Sequence, residues 1–240
     1  MIISSQGFGH FTKGLNNQDF GIETPRMLLV LDGCSGAKYS EVGTRLFAQL
    51  LLRKEDFDNY EKFEENVKSI FEKIIKKVKE DYPNRDELEK DFIMENLLFT
   101  IIACFKTTDK YIVKLFGDGY IVSQNKKGQI SYMRYSYGQC PPYFAYKYCS
   151  GEEFECYKKA NFKTFEFDRN VFPKIGIGSD GIMPMAKGEI RGFDSFIIAN
   201  NNVMIESAIR NNRQSFFDDV TFAFFNEETV TSWKIELSTT

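Results

Sequence analysis

Residues 97–135 read LLFTIIACFKTTDKYIVKLFGDGYIVSQNKKGQISYMRY, and this stretch decides the fold class. Four runs of strand length, at 97–105, 111–116, 120–124 and 129–135, are rich in β-branched and aromatic residues. Thr108-Asp109, Gly117-Asp118-Gly119 and Lys127-Gly128 fall between them and carry turn chemistry. Short turns between consecutive strands predict an antiparallel meander. Upstream the period changes. Residues 41–54 (EVGTRLFAQLLLRK) space their apolar side chains as a helix does, with Glu41 near the start and Arg53 and Lys54 at the end. Residues 59–80 predict a second amphipathic helix, with a stripe of Phe63, Val67, Ile70, Phe71, Ile74, Ile75 and Val78. Tyr82-Pro83-Asn84 breaks it, and a shorter helix is expected at 86–95.

Residues 1–31 read as early strands, and 27–31 (MLLVL) is a continuous apolar run suited to a strand covered on both faces. It stops at Asp32-Gly33. Downstream, 138–170 is irregular and rich in Pro, Tyr and Lys, and reads as a long surface excursion with some extended structure. A strand at 175–178 ends at Ser179-Asp180-Gly181, 202–212 predicts a helix, and 220–225 and 231–237 predict two closing strands. No repeat, low-complexity tract or dividing linker interrupts the chain. The pattern predicts an α+β fold in one domain over 1–240, with two antiparallel sheets packed on each other and helices outside.

Composition narrows the chemistry. The chain has 240 residues, 42% hydrophobic and 15% aromatic, enough for one large core. Its net charge is -3 and no basic stripe occurs, which argues against nucleic acid as a partner. The mixed charges of 53–91 read as a solvated helical face. Five cysteines without a CxxC pair, no signal-peptide pattern and no membrane-length apolar run predict a soluble, reduced, cytoplasmic protein. The single histidine, His10, leaves no multi-histidine zinc site, and nothing near it resembles a nucleophile elbow. Glycine-rich nucleotide loops are absent too. Carboxylates are abundant, and they are the preferred ligands of Mg²⁺ and Mn²⁺.

Several aspartates share one context, an apolar strand running into Asp at a turn. They are Asp19 in NNQDF, Asp32 in LVLDGCSG, Asp118 in LFGDGY, Asp180 in IGIGSDGI, and Asp218 with Asp219 in FFDDVTFAFF. A single Asp-Gly is an ordinary turn. Together they place carboxylates at the edge of a core without a matching set of Arg or Lys, and bound cations would supply the missing charge.

These motifs resemble the metal-dependent protein phosphatase (2C-type) family over nearly the whole chain. GxxHxxxGxxNQD at 7–19, VLDGCSG at 30–36, FGDG at 116–119, GSDG at 178–181 and DDVT at 218–221 come in the family's order, and GAKYSEVGTRL at 36–46 is most similar to a bacterial-style branch. The resemblance implies a central antiparallel β-sandwich flanked by α-helices on both sides, in α-β-β-α layers. It implies a dinuclear Mn²⁺ or Mg²⁺ centre at one end. Asp32 would bridge the ions and the Gly33 carbonyl would bind one of them. Asp180 and Asp218 would hold the other, and Asp19 would bind directly or order metal waters. Asp118 would serve a third, weaker ion. The segment 138–170 would be the flap beside the site. Two cations about 4 Å apart lower the pKa of a shared water, which then attacks phosphorus without a phospho-enzyme.

The chain departs from the family's pattern at Gln18, where Glu is frequent, and at Cys34, where His is frequent. Gly119 replaces the Ser of GDS, and Asp219 the Asn of DN. The usual phosphate-binding Arg is missing, and Lys13 is the nearest cation. The expected catalytic set is therefore Asp32, Asp19 and Lys13. His10 is expected to be structural or at the pocket rim, and Trp233 to lie in the core. The expected substrate is a phosphoserine or phosphothreonine protein, acted on by a monomer without membrane or nucleic acid. Two alternatives stand beside it: a weak or inactive module that binds a regulatory partner, and a hydrolase of small phosphate esters.

Overall fold

The computed structural model describes residues 1–83, 85–137, 141–199 and 201–225. Strand β1 (Ile2–Ser5), helix α1 (Phe8–Lys13), β2 (Phe20–Glu23) and β3 (Met27–Gly33) come first. Helices α2 (Ser40–Leu52), α3 (Phe63–Asp81) and α4 (Asp86–Asn96) follow, then β4 (Phe99–Lys106), β5 (Lys110–Phe116), β6 (Gly119–Gln124) and β7 (Ile130–Tyr135). Two 3-10 turns, Phe144–Tyr148 and Glu152–Phe154, lead into α5 (Glu155–Lys158), β8 (Lys163–Asp168) and β9 (Lys174–Gly178). Helices α6 (Met183–Ala186), α7 (Phe193–Ile198) and α8 (Asn202–Asn211) precede β10 (Val220–Phe224).

The strands make two five-stranded sheets, β1-β10-β9-β6-β7 and β2-β3-β4-β5-β8, antiparallel throughout. Their alternation builds the layers. In β3, Leu28 and Val30 join Ile102, Val113, Ile121, Ile175 and Ile177 between the sheets. Met27, Leu29 and Leu31 turn the other way, into a cluster with Phe47 of α2 and Val67, Ile70 and Phe71 of α3. Strand β10 repeats the device, with Ala223 between the sheets and Phe222 and Phe224 packed with Phe193, Ile197, Ile205 and Ile209 of α7 and α8. Both faces of each sheet are thus covered, which is why 27–31 is apolar without a break and fully buried. Each such Leu or Phe stabilises the fold by roughly 1.5–3 kcal/mol. The expected α-β-β-α sandwich is the fold observed. On the water face of α3, Lys68–Glu72, Lys76–Glu80 and Lys77–Asp81 pair at i,i+4 spacing, the solvated charge expected there.

Four local expectations need correction. Residues 1–31 contain a helix, α1, as well as strands. It is too short to show a period, and it is held from outside: Phe8 and Gly9 N–H groups donate to the carbonyls of Phe216 and Phe217 at 2.7 and 2.9 Å. The long helix begins at Phe63, after turns at 59–62. The four-strand meander is two hairpins, β4-β5 in one sheet and β6-β7 in the other. Gly117-Asp118 carries the chain between sheets, with Gly117 at φ 103°, where a Cβ would also meet the Thr100 side chain at 2.7 Å. Finally, the described part of the 138–170 excursion is not all at the surface, although much of 150–170 is exposed. Tyr143, Phe144, Ala145, Cys149, Phe154 and Ala160 are buried, and Phe144 packs on Phe71 with ring centroids 4.9 Å apart. Its last part, β8, is an edge strand paired with β5. The strand expected at 231–237, with Trp233, lies outside the described residues. No described helix is long and apolar enough to cross a membrane.

Candidate metal centre

Antiparallel pairing brings the called aspartates to one end of the sandwich. Asp32 stands at the end of β3, and Asp19 directly precedes β2, whose Phe20 pairs with Leu31. In the other sheet Asp180 follows β9 and Asp218 precedes β10, joined through the pair Gly178–Phe222. Asp118 sits on the crossover between sheets. Hydrogen bonds from two donors tie the halves together. The Asp180 N–H donates to Asp32 Oδ2 at 3.3 Å, and Ser35 Oγ donates to both Asp218 oxygens at 3.1 Å. Gly33 is buried against the Gln18 carbonyl, which a Cβ would meet at 2.5 Å, so only glycine fits there.

The electrostatics are those of carboxylates without enough positive charge. Asp19 is 2% exposed, and neither of its oxygens has a hydrogen-bond partner. Burial first, then the charges of Asp219 and Asp218, push its pKa up to about 8. Asp32 is raised well above the ordinary range by burial, then by Asp19, Asp180, Asp218 and Asp118. Asp180 rises to about 6 through burial, Asp218 and Asp118. Asp118 rises through burial, and Arg134 opposes that rise. Arg134 lies on β7 opposite Tyr120 and also lowers Asp180. Orphaned oxygens, half-buried anionic neighbours and an all-oxygen donor set fit a hard divalent cation.

A second acidic group at this end has another role. His10, Asp218 and Asp219 are the described residues whose possible ligand atoms come within 4.8 Å of one another, and no trio among the other aspartates is so tight. Asp219 is fully engaged by protein donors, however. Its Oδ1 accepts from Gly7 N–H at 2.7 Å, and its Oδ2 from Gln18 N–H at 2.6 Å and from His10 Nδ1 at 2.8 Å. This is scaffolding under Asp19, and His10 is the structural residue expected. Gln18 is buried too, and its Nε2 donates to the Ala37 carbonyl at 3.0 Å, a bond that an ionised Glu could not make.

Lys13 is exposed in the last turn of α1, and no contact among the described residues ties it to the carboxylates. Sequence reasoning missed Arg134, which lies in an exposed strand register like any surface cation. It also missed Tyr143, a buried residue beside Cys34 and Asp32. Irregular spacing hid that one. Asp219 was legible as one of the strand-end aspartates and as a departure from a motif, but not as the anchor of Gly7, His10 and Gln18.

A family model described as Protein phosphatase 2C matches residues 6–197. No curated protein matches the chain in sequence. Among solved structures, the chain is similar to serine/threonine phosphatase Stp1 from Staphylococcus aureus, at 15% identity and a TM-score of 0.61, over 95% of this chain and 94% of that one. It is similar to the Mycobacterium tuberculosis serine/threonine phosphatase PstP/Ppp at 16% identity and a TM-score of 0.57, over 93% and 96%. The catalytic domain of PstP in complex with two manganese ions matches at 17% identity and a TM-score of 0.57, over 93% and 95%. At these identities the likeness is one of fold.

Proposed function

Because the chain belongs to the protein phosphatase 2C family, we propose that it is a serine/threonine-type phosphoprotein phosphatase dependent on Mn²⁺ or Mg²⁺. The carrying observation is Asp19: both its oxygens are buried and unpartnered in a ring of carboxylates that raise one another's pKa. Asp19, Asp32, Asp180, Asp218 and the Gly33 carbonyl would hold two ions, and Asp118 a third. When bound, the ions supply the positive charge that activates water and neutralises the phosphoryl oxygens.

The chain's own residues do the rest. Ser35 fixes the Asp218 carboxylate, and the Asp180 N–H fixes Asp32. The Asn17 side chain accepts from the Asp19 N–H at 2.9 Å and sets the direction of that residue. Arg134 is the cation whose field reaches the cluster, so it is the better candidate than Lys13 to meet a phosphate oxygen. The test is calorimetric Mn²⁺ titration beside hydrolysis of an aryl phosphate and a phosphopeptide. Metal binding that disappears in Asp32→Asn together with turnover is expected. Full activity after chelation, or unchanged binding in Asp32→Asn, would overturn the reading.

A further inference from the structure

A groove of about 500 Å³ lies between α1 and the end of α8, lined by Phe8, Phe11, Arg210, Arg213, Gln214 and Ser215, with Asn211 and Asn212. We propose that it docks an anionic segment of the protein substrate, acidic or phosphorylated, flanking the residue to be dephosphorylated. This rests on the phosphatase reading above and adds to it the substrate class.

Charge complementarity carries the choice of occupant. The lining holds two arginines and no acid, in a chain of net charge -3. The Arg213 guanidinium lies 3.8 Å from the centroid of the Phe11 ring. Its Nη2 donates to Gln6 Oε1 at 3.0 Å, which holds the guanidinium over the ring. Stacking on a ring fixes the plane of a guanidinium and leaves its in-plane donors aimed at carboxylate or phosphate. Phe11, in the lining, is 54% exposed, and an aromatic standing in water favours a covering chain. The groove between α3 and residues 144–162 sets three acids, Glu64, Glu65 and Glu72, against Lys68 and Lys147, so its positive charge is opposed. Its Glu64 and Glu72 already pair with Lys114 and Lys68.

Position supports the link to the site. The backbone bonds from Phe8 and Gly9 to Phe216 and Phe217 fasten α1 to the segment that runs into Asp218. Ser215, in the groove, precedes Asp218 by three residues. The groove and the proposed ligand Asp218 are thus carried on one short continuous segment.

The experiment compares two phosphoserine peptides, one with Asp/Glu flanks and one with neutral flanks, in wild type, Arg210→Ala and Arg210→Ala/Arg213→Ala. Arg210→Ala leaves the Arg213–Gln6 bond intact and covers the case of a double variant that does not fold. Expected are a lower KM for the acidic peptide in wild type and a rise in that KM of about tenfold in the double variant. Turnover of the neutral peptide and of an aryl phosphate stays unchanged. Anisotropy of a labelled, unphosphorylated acidic peptide reads the groove without catalysis. A wild type inert toward aryl phosphate but binding this peptide through Arg210 would sink the phosphatase reading and leave the groove standing. Equal KM and equal peptide affinity in all three proteins would overturn the groove. So would arginine-dependent binding to anionic vesicles, or self-association through this face, without any peptide preference.

Discussion

His10 and Asp219 meet at 2.8 Å across 209 positions of sequence, inside the protein. The same carboxylate accepts the Gly7 and Gln18 backbone N–H groups, so one side chain anchors both ends of the segment that delivers Asp19. Removing it would strand two buried donors and a histidine. Asp219→Ala should therefore lower stability by ~3 kcal/mol or more in urea unfolding, since each orphaned buried group costs about 1–3 kcal/mol. Asp219→Asn keeps one accepting oxygen and should cost less. It should still weaken Mn²⁺ binding, because Asp19 loses its support. A loss under ~1 kcal/mol in Asp219→Ala would mean that the segment is held elsewhere.

The raised carboxyls fix the sign of a pH dependence. Asp19 and Asp180 have folded pKa values of about 8 and about 6 against an ordinary 3.8. Between 3.8 and those values the folded chain holds protons that the unfolded chain has released, so stability falls as pH rises. Metal-free protein should thus melt at a higher temperature at pH 5 than at pH 8. Mn²⁺ should raise the melting temperature most at the upper end, where the carboxylates are ionised and free to bind. A metal-free melting temperature that climbs from pH 5 to 8 would contradict the cluster's electrostatics.

Asp118 differs from the others in place. It rides the crossover rather than a strand end, and Arg134 offsets part of its burden. Asp118→Ala should keep the two tight Mn²⁺ sites in calorimetry while turnover falls. Loss of both tight sites in that variant would show that Asp118 belongs to the main pair.

How much of this was legible follows from period and context. β3, β4 and β10 were readable because strands covered on both faces carry unbroken apolar runs, and α2, α3 and α4 because their stripes repeat. Asp32, Asp118 and Asp180 were readable because each follows such a run, and Asp19 and Asp218 because each stands just before a strand. The crossover at Gly117-Asp118 was not, since a Gly-flanked turn looks alike whether the chain returns to its own sheet or leaves it. Nor was the flap: Phe144 and Phe154 pack from 3-10 turns, whose side chains follow neither strand nor helix spacing. Arg134 and Asp219 act through tertiary neighbours that no local pattern announces.

Position 34 sets the last expectation. Cys34 stands near the cluster where a histidine would offer a proton, and the chain's one histidine is buried against Asp219. Another donor beside Cys34 and Asp32 is the Tyr143 hydroxyl. Burial, then Cys34, push its pKa far above neutrality, so it holds its proton too tightly to be an efficient acid. Departing oxygens must therefore leave with little help from a side chain. Aryl oxides tolerate this and serine alkoxide does not, so rates should fall steeply from aryl to alkyl phosphates when chemistry is rate-limiting. Cys34→His should raise the alkyl rates more than the aryl ones, because imidazole titrates near neutral pH. Tyr143→Phe should leave the leaving-group slope where it was. A shallow slope in wild type that steepens in Tyr143→Phe would identify Tyr143 as the proton donor and reverse the assignment.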